Sequence, residues 1–220
     1  MRRWTIATRW TMAALALAAC AAPREEAPPA GETGATLATT APDAPDTTGV
    51  RGTLQWSDLG VRMVGRGRTA GLQIDVTTIT DEVVELAADD AREYFREVRK
   101  KIPEAVPARE LDELVPFLVG YTGFEKEISF DPTRLEIRSE GSTYYPRYIV
   151  PVSPTFERRV AELYRTVYAV YLFDDEVDLK ATLEFRYDDL SSGTAWRQVV
   201  DQIQRAKNRL EGAETTPGGR

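Results

Sequence analysis

The chain has no histidine and a single cysteine, Cys20. That removes Ser–His and Cys–His nucleophile pairs and the commonest transition-metal ligand. Any catalysis would rest on carboxylates, lysine, tyrosine or a Ser/Lys pair. Asp174, Asp175, Glu176 and Asp178 form the densest acidic cluster, and hard cations such as calcium favour several carboxylate oxygens from one short loop. Their spacing lacks the alternating Asp/Asn ligands, the glycine and the distant Glu of a calcium loop, so they read as a solvated turn. Asp188 and Asp189 read the same way. No metal ligand, cofactor or catalytic residue is assigned, because no pair of carboxylates identifies itself as an acid and its base.

Other residue groups suit contact better than catalysis. Tyr144, Tyr145, Arg147 and Tyr148 make an aromatic, basic stretch in an acidic chain. Aromatic faces beside arginine fit a sugar, an anionic glycan or a partner protein. The same pattern also fits a strand whose alternate tyrosines pack inward while the arginines face water. Only every second side chain of a strand shares a face, so Tyr144 and Tyr148 cannot join Tyr145. Near the carboxyl end, Arg197, Arg205, Lys207 and Arg209 lie on the polar side of an expected helix. They form either a partner surface or cations favourable to the helix dipole. Tyr145, Arg147, Arg197, Arg205 and Arg209 are thus the candidate partner or glycan surface. Gly65–Gly71 has the wrong spacing for a phosphate loop and reads as a hairpin connection.

The elements that would position these groups are mostly strands. Leu72, Ile74 and Val76 alternate with polar residues, and Thr80-Asp81-Glu82 reads as a turn into a second strand, Val83–Leu86. Phe124, Ile128 and Phe130 alternate again, and Leu135–Ile137 and Thr143–Val150 flank a turn at Glu140-Gly141-Ser142. Thr166–Phe173, apolar on both faces, reads as a central strand. Val177–Tyr187 alternates over its whole length, the pattern of a strand with one wet face, and Asp174-Asp175-Glu176 would join the two as a hairpin. Helical spacing covers Asp90–Ile102, stopped by Pro103, and about 194–211, with Trp196 on the apolar stripe and Gly212 as the stop. Shorter helices are expected at Glu110–Val115 and from Ser153-Pro154.

Antiparallel strands with few long crossovers predict a mainly β domain with helical additions: a β-sandwich with a helical insertion at about 87–120 and a C-terminal helix. The alternative is an α+β domain with a curved sheet packed on that helix. The Leu72–Ile79 strand, the Thr80-Asp81-Glu82 turn and the run from Arg134–Arg138 through Glu140-Gly141 to Tyr144-Tyr145-Pro146 resemble the immunoglobulin-like, telokin-like domains of bacterial lipoproteins.

The amino terminus points the same way. Arg2, Arg3 and Arg9 precede an apolar run, Trp10–Ala16, that is too short to span a bilayer. Leu17-Ala18-Ala19-Cys20 then resembles the lipobox of bacterial lipoproteins. The resemblance implies cleavage between Ala19 and Cys20 and a diacylglycerol anchor on the Cys20 thiol. It divides the chain into a signal peptide (1–19), a lipidated cysteine and tether (20–51), a folded domain (52–212) and a disordered tail (213–220). Residues 21–50 are rich in Ala, Thr, Pro, Gly and Glu and hold no aromatic residue. They cannot bury enough apolar surface to fold, and as a coil they would reach roughly 30 Å on average. Ala21 after the cysteine favours the periplasmic face of the outer membrane in a Gram-negative envelope.

Cleavage removes three arginines, taking the formal charge from −7 to −10. Such a chain is a poor match for nucleic acid and is repelled by anionic lipid, so the anchor has to hold it at the membrane. The expected function is a lipid-anchored, non-catalytic envelope module working through protein or glycan contacts. A small-ligand or lipid-binding β-domain is the alternative, and a carboxylate hydrolase comes third.

Overall fold

Val61 and Met63 alternate with Arg62 and Val64, and Leu72, Ile74 and Val76 with Gln73 and Asp75. Both runs are strands, β1 (Gly60–Val64) and β2 (Leu72–Thr78), in the computed structural model, which describes residues 54–214. They pair as an antiparallel hairpin through the Gly65–Gly71 connection, with Met63 opposite Ile74.

A helical segment follows: α1 (Asp81–Leu86), α2 (Asp89–Arg99), α3 (Ile102–Ala105) and a 3-10 stretch over Ala108–Glu113. It begins and ends earlier than the expected 87–120. The expected strand at Val83–Leu86 is α1 instead. Extended Thr80 precedes it, Asp81 and Glu82 favour its positive end, and Val83, Val84 and Leu86 are buried by it. That packing overrides the strand preference of two adjacent valines. Pro103 sits in the first turn of α3 rather than ending α2.

Nine more strands follow in chain order: β3 (Leu114–Gly123), β4 (Glu127–Ser129), β5 (Leu135–Ser139), β6 (Ser142–Tyr144), β7 (Tyr148–Pro151), β8 (Val160–Glu162), β9 (Thr166–Asp174), β10 (Glu184–Tyr187) and β11 (Leu190–Ser191). The last helix, α4, spans Trp196–Glu214 and carries Gly212 inside it. One antiparallel sheet runs β1-β2-β3-β9-β7, a second runs β11-β10-β5-β6, and β4 pairs with β8 alone.

The two larger sheets pack face to face. Phe117, Val119, Tyr121, Tyr171 and Phe173 from the first meet Leu135, Ile137, Phe185 and Tyr187 from the second. Trp196, fully buried at the start of α4, sits edge-on to Phe117 and Phe185, with ring centroids 5.9 and 5.4 Å away. The other face of the first sheet is covered at one end, where Leu118, Val170 and Leu172 pack under Val83, Phe95, Val98 and Ile102. This is a β-sandwich with helical additions, and its central strands are apolar on both sides because both sides are covered. Lys207 of α4 pairs with Glu82, fastening the last helix to α1.

Further expected elements differ; the helix expected at Glu110–Val115 is the end of the 3-10 stretch, and Leu114 and Val115 already belong to β3. Thr143–Val150 is two strands in different sheets, broken at Tyr145-Pro146-Arg147, where proline removes a ladder donor. Val177–Tyr187 is a strand only over its last four residues. Val177 and Leu183 are buried from an irregular loop, so burial alternates there without a ladder. Asp174–Glu176 therefore does not close a hairpin: β9 pairs with β3 and β7, β10 pairs with β5 and β11, and the segment crosses between sheets. The helix expected from Ser153-Pro154 is a single 3-10 turn at Phe156–Arg158, ended by Arg159 at φ 53°. Among the described residues no helix is long and apolar enough to cross a membrane.

Candidate functional site

Strand register builds a surface on the open part of the first sheet. Arg62 lies opposite Asp75, Asp75 opposite Gly120, and Gly120 opposite Tyr168, one row across four strands. The helical layer reaches this row only at Tyr168, whose ring meets Tyr94 of α2, and Asp75 and Tyr168 are half-buried while Arg62 is exposed. Beside this row lies a cleft of about 470 Å³, lined by Trp56, Arg62, Asp75, Thr77 and Tyr168 among others.

Two aromatic rings wall the cleft, and each has a local cause. Trp56 is carried on a 3-10 turn that Asp58 closes by accepting from the Gln55 backbone N–H (3.0 Å). Its indole Nε1 donates to Thr77 Oγ1 at 3.1 Å, and its ring lies 5.0 Å from Phe95 and 5.1 Å from Tyr94. Tyr168 leans over Gly120, where a Cβ would stand only 2.7 Å from its Cε1. Glycine is what lets the ring lie along the sheet. The Trp56 and Tyr168 centroids are 6.0 Å apart. Burial pushes the Tyr94 and Tyr168 hydroxyls above the usual tyrosine range, so both are neutral at physiological pH.

The floor is polar and pre-paired. Asp75 Oδ1 accepts from Arg62 Nε and Oδ2 from Gln73 Nε2, both at 2.6 Å. The cleft thus combines two aromatic rings with a guanidinium, a carboxylate and hydroxyls. Ring faces complement the C–H faces of sugars, and fixed polar groups select among hydroxyls. Asp75 is the one carboxylate among the lining residues, so the cleft does not hold the facing pair that glycoside hydrolysis uses.

The residues expected from sequence are placed differently. Tyr145 is exposed in the β6–β7 connection. Arg147 beside it is engaged within the domain: it reaches Glu110 at 3.0 Å and Asp174 at 3.1 Å, and the Asp174 hydrogen bond holds its guanidinium above the ordinary arginine range. Tyr148 donates to Glu110 at 2.6 Å, which, with Arg147 nearby, lowers the Glu110 carboxyl. Arg197 Nε donates to Thr182 Oγ1 at 2.8 Å, while Arg205 and Arg209 are exposed on α4. Among the described residues no ion pair, hydrogen bond or ring contact joins the Tyr145–Arg147 connection to the arginines of α4. In the acidic cluster, Asp174 meets Arg147 and Asp178 accepts from the Lys180 backbone N–H. Among the described residues no three acidic, cysteine or histidine side chains converge as a metal site. Ala19 and Cys20 lie outside the described residues.

Sequence reading missed Trp56, Gly120 and Tyr168 as a group. Trp56 stands outside every periodic run, and a large aromatic without an apolar stripe was the signal available. Comparison with family models, curated proteins and solved structures yields no match to this chain.

Proposed function

We propose that the chain is a lipid-anchored cell-envelope protein whose folded domain binds an envelope glycan, without catalysis, in the cleft of the five-stranded sheet. The observation that carries this reading is the cleft itself, lined by Trp56, Tyr168 and the Arg62–Asp75 pair together. It has the ring faces and fixed hydrogen-bonding groups that a polyhydroxylated ligand needs, and it stays open to a ligand longer than the cleft. The anchor rests on Leu17-Ala18-Ala19-Cys20, with Ala21 favouring the periplasmic face of the outer membrane if the envelope is Gram-negative. Held there on a tether, the domain would join the membrane to a glycan layer.

The glycan reading is tested by cosedimentation of the protein with insoluble cell-wall glycan. Arg62→Ala removes an exposed side chain and leaves the core intact. Binding should weaken by about tenfold, the worth of one hydrogen bond to a charged group. Equal retention of wild type and Arg62→Ala, or no retention of either, defeats the cleft reading. The anchor is tested separately, since Cys20→Ala should no longer stay with membranes washed at high salt.

A further inference from the structure

Six large hydrophobic side chains are exposed among the described residues, and four of them gather at one end of the five-stranded sheet: Val64, Phe124, Leu163 and Tyr164. Val64 ends β1, Phe124 follows β3, and Leu163 and Tyr164 precede β9. Backbone hydrogen bonds tie the three segments together, from Phe124 N–H to Gly71 O (2.7 Å) and from Tyr164 N–H to Gly123 O (2.8 Å). The Phe124 and Tyr164 rings meet edge-on with centroids 6.0 Å apart. Tyr164 is 74% exposed and holds φ at 56°, a left-handed conformation that a bulky side chain adopts at a cost. Neither the strain nor the exposed rings serve the core.

The charge at this end reverses that of the chain. The loops 65–71, 124–127 and 162–165 carry Arg66, Arg68, Lys126 and Arg165 against Glu125, Glu127 and Glu162, in a protein of net charge −7. Of the acids here, Glu162 is paired with Arg158 and Arg165, Asp189 accepts from Thr69, and Glu125 and Glu127 are exposed. Arg66, Arg68 and Lys126 are exposed and have no ion-pair partner among the described residues. Aromatic and aliphatic side chains at one end of the sheet, with unpaired cations on the same loops, match the interface of an anionic bilayer: rings at headgroup level and cations at phosphate. A protein interface would tend to exclude lysine from such a patch.

We propose that this loop end is a second, reversible membrane contact that docks on anionic phospholipid independently of the acyl anchor. The acidic charge of the whole chain opposes membrane binding on average, but exposed charges more than about 10 Å away are largely screened at physiological salt. The local cations therefore decide the contact. Docking would fix which side of the domain faces the bilayer, which the anchor alone does not do.

The test uses the chain from residue 20 onward carrying Cys20→Ala, so that no acyl group contributes. It is mixed with phosphatidylcholine vesicles with and without phosphatidylglycerol, and the bound fraction is read by sedimentation. The expected result is binding that requires phosphatidylglycerol and falls with added salt. Phe124→Ser with Leu163→Ser should weaken it by about tenfold or more, the cost of two apolar side chains left in water. Tyr164→Gly suits the left-handed backbone, so weaker binding in that variant reports the lost ring and not a lost fold. Lys126→Glu should remove the preference for anionic lipid. Failure of the parent chain to bind phosphatidylglycerol vesicles, or binding untouched by these substitutions, overturns the proposal. Neither outcome bears on glycan binding in the cleft.

Discussion

Two buried tyrosines make the sharpest test of how the sandwich is held. Tyr121 and Tyr171 place their hydroxyls 2.6 Å apart between the sheets, and the Tyr171 hydroxyl donates to Pro132 O at 3.0 Å. A hydroxyl has one proton, so with Tyr171 donating to Pro132, Tyr121 must donate to Tyr171. The order Tyr121 to Tyr171 to Pro132 makes the two phenylalanine substitutions unequal. Tyr121→Phe deletes the first donor and leaves Tyr171 still bonded, at about 1 kcal/mol. Tyr171→Phe strands a buried donor on Tyr121 and a carbonyl on Pro132, at about 3 kcal/mol. Urea unfolding of the two variants should therefore differ by about 2 kcal/mol, and Tyr171→Phe should melt about 6–12 °C below wild type. Burial raises both hydroxyls above the ordinary tyrosine range. The stability that this neutral pair contributes is present below pH about 10 and is lost as pH rises beyond it. Tyr121→Phe costing as much as Tyr171→Phe would refute the assigned order.

Other substitutions probe the cleft, the acid limit and the loop end. Gly120→Ala puts a methyl 2.7 Å from Tyr168 and 2.9 Å from Thr166 Cγ2. It should cost about 1–3 kcal/mol in denaturant unfolding and weaken glycan retention as the ring is displaced. Glu110 and Asp131 have carboxyls lowered first by hydrogen bonds, from Tyr148 and Thr133 respectively. Their contribution is complete above the ordinary carboxylate pKa of about 4 and is lost as pH falls below it, so Glu110→Gln should flatten the acid limb of a stability–pH curve. Tyr164→Gly relieves about 1–2 kcal/mol of left-handed strain and forfeits a ring contact worth about 0.5–1.5 kcal/mol. Its urea midpoint should stay near that of wild type, and a loss above about 2 kcal/mol would show that the ring supports the fold.

The parts legible in the sequence were those in which one face alone is buried. Leu72, Ile74 and Val76 announced β2, and the stripe through Trp196, Val199 and Ile203 announced α4, because period and burial coincide there. Where burial has another source, the pattern misleads. Val177 and Leu183 fill space between the sheets from a loop, imitating a strand, and Val83-Val84 imitate one while lying on a helix. The cleft was illegible for a different reason. Trp56 and Tyr168 are far apart in the chain and meet only because the register sets Asp75 beside Gly120 and Gly120 beside Tyr168. Spacing along one strand carries no information about register across four. The exposed loop end is likewise assembled from three segments, none notable alone.

The central claim, that the cleft is the binding site, has a built-in reporter. Cleavage before Cys20 would remove Trp4 and Trp10, leaving Trp196, fully buried in the core, and Trp56, half-buried on the cleft wall. The measurement is a titration of the chain from residue 20 onward, carrying Cys20→Ala, with soluble envelope-glycan fragments, following tryptophan emission. The account predicts a saturable change that disappears in Trp56→Phe and moves to higher concentration in Arg62→Ala. Glycan bound in a parallel sedimentation assay with no change in Trp56 emission would place the site elsewhere and contradict it.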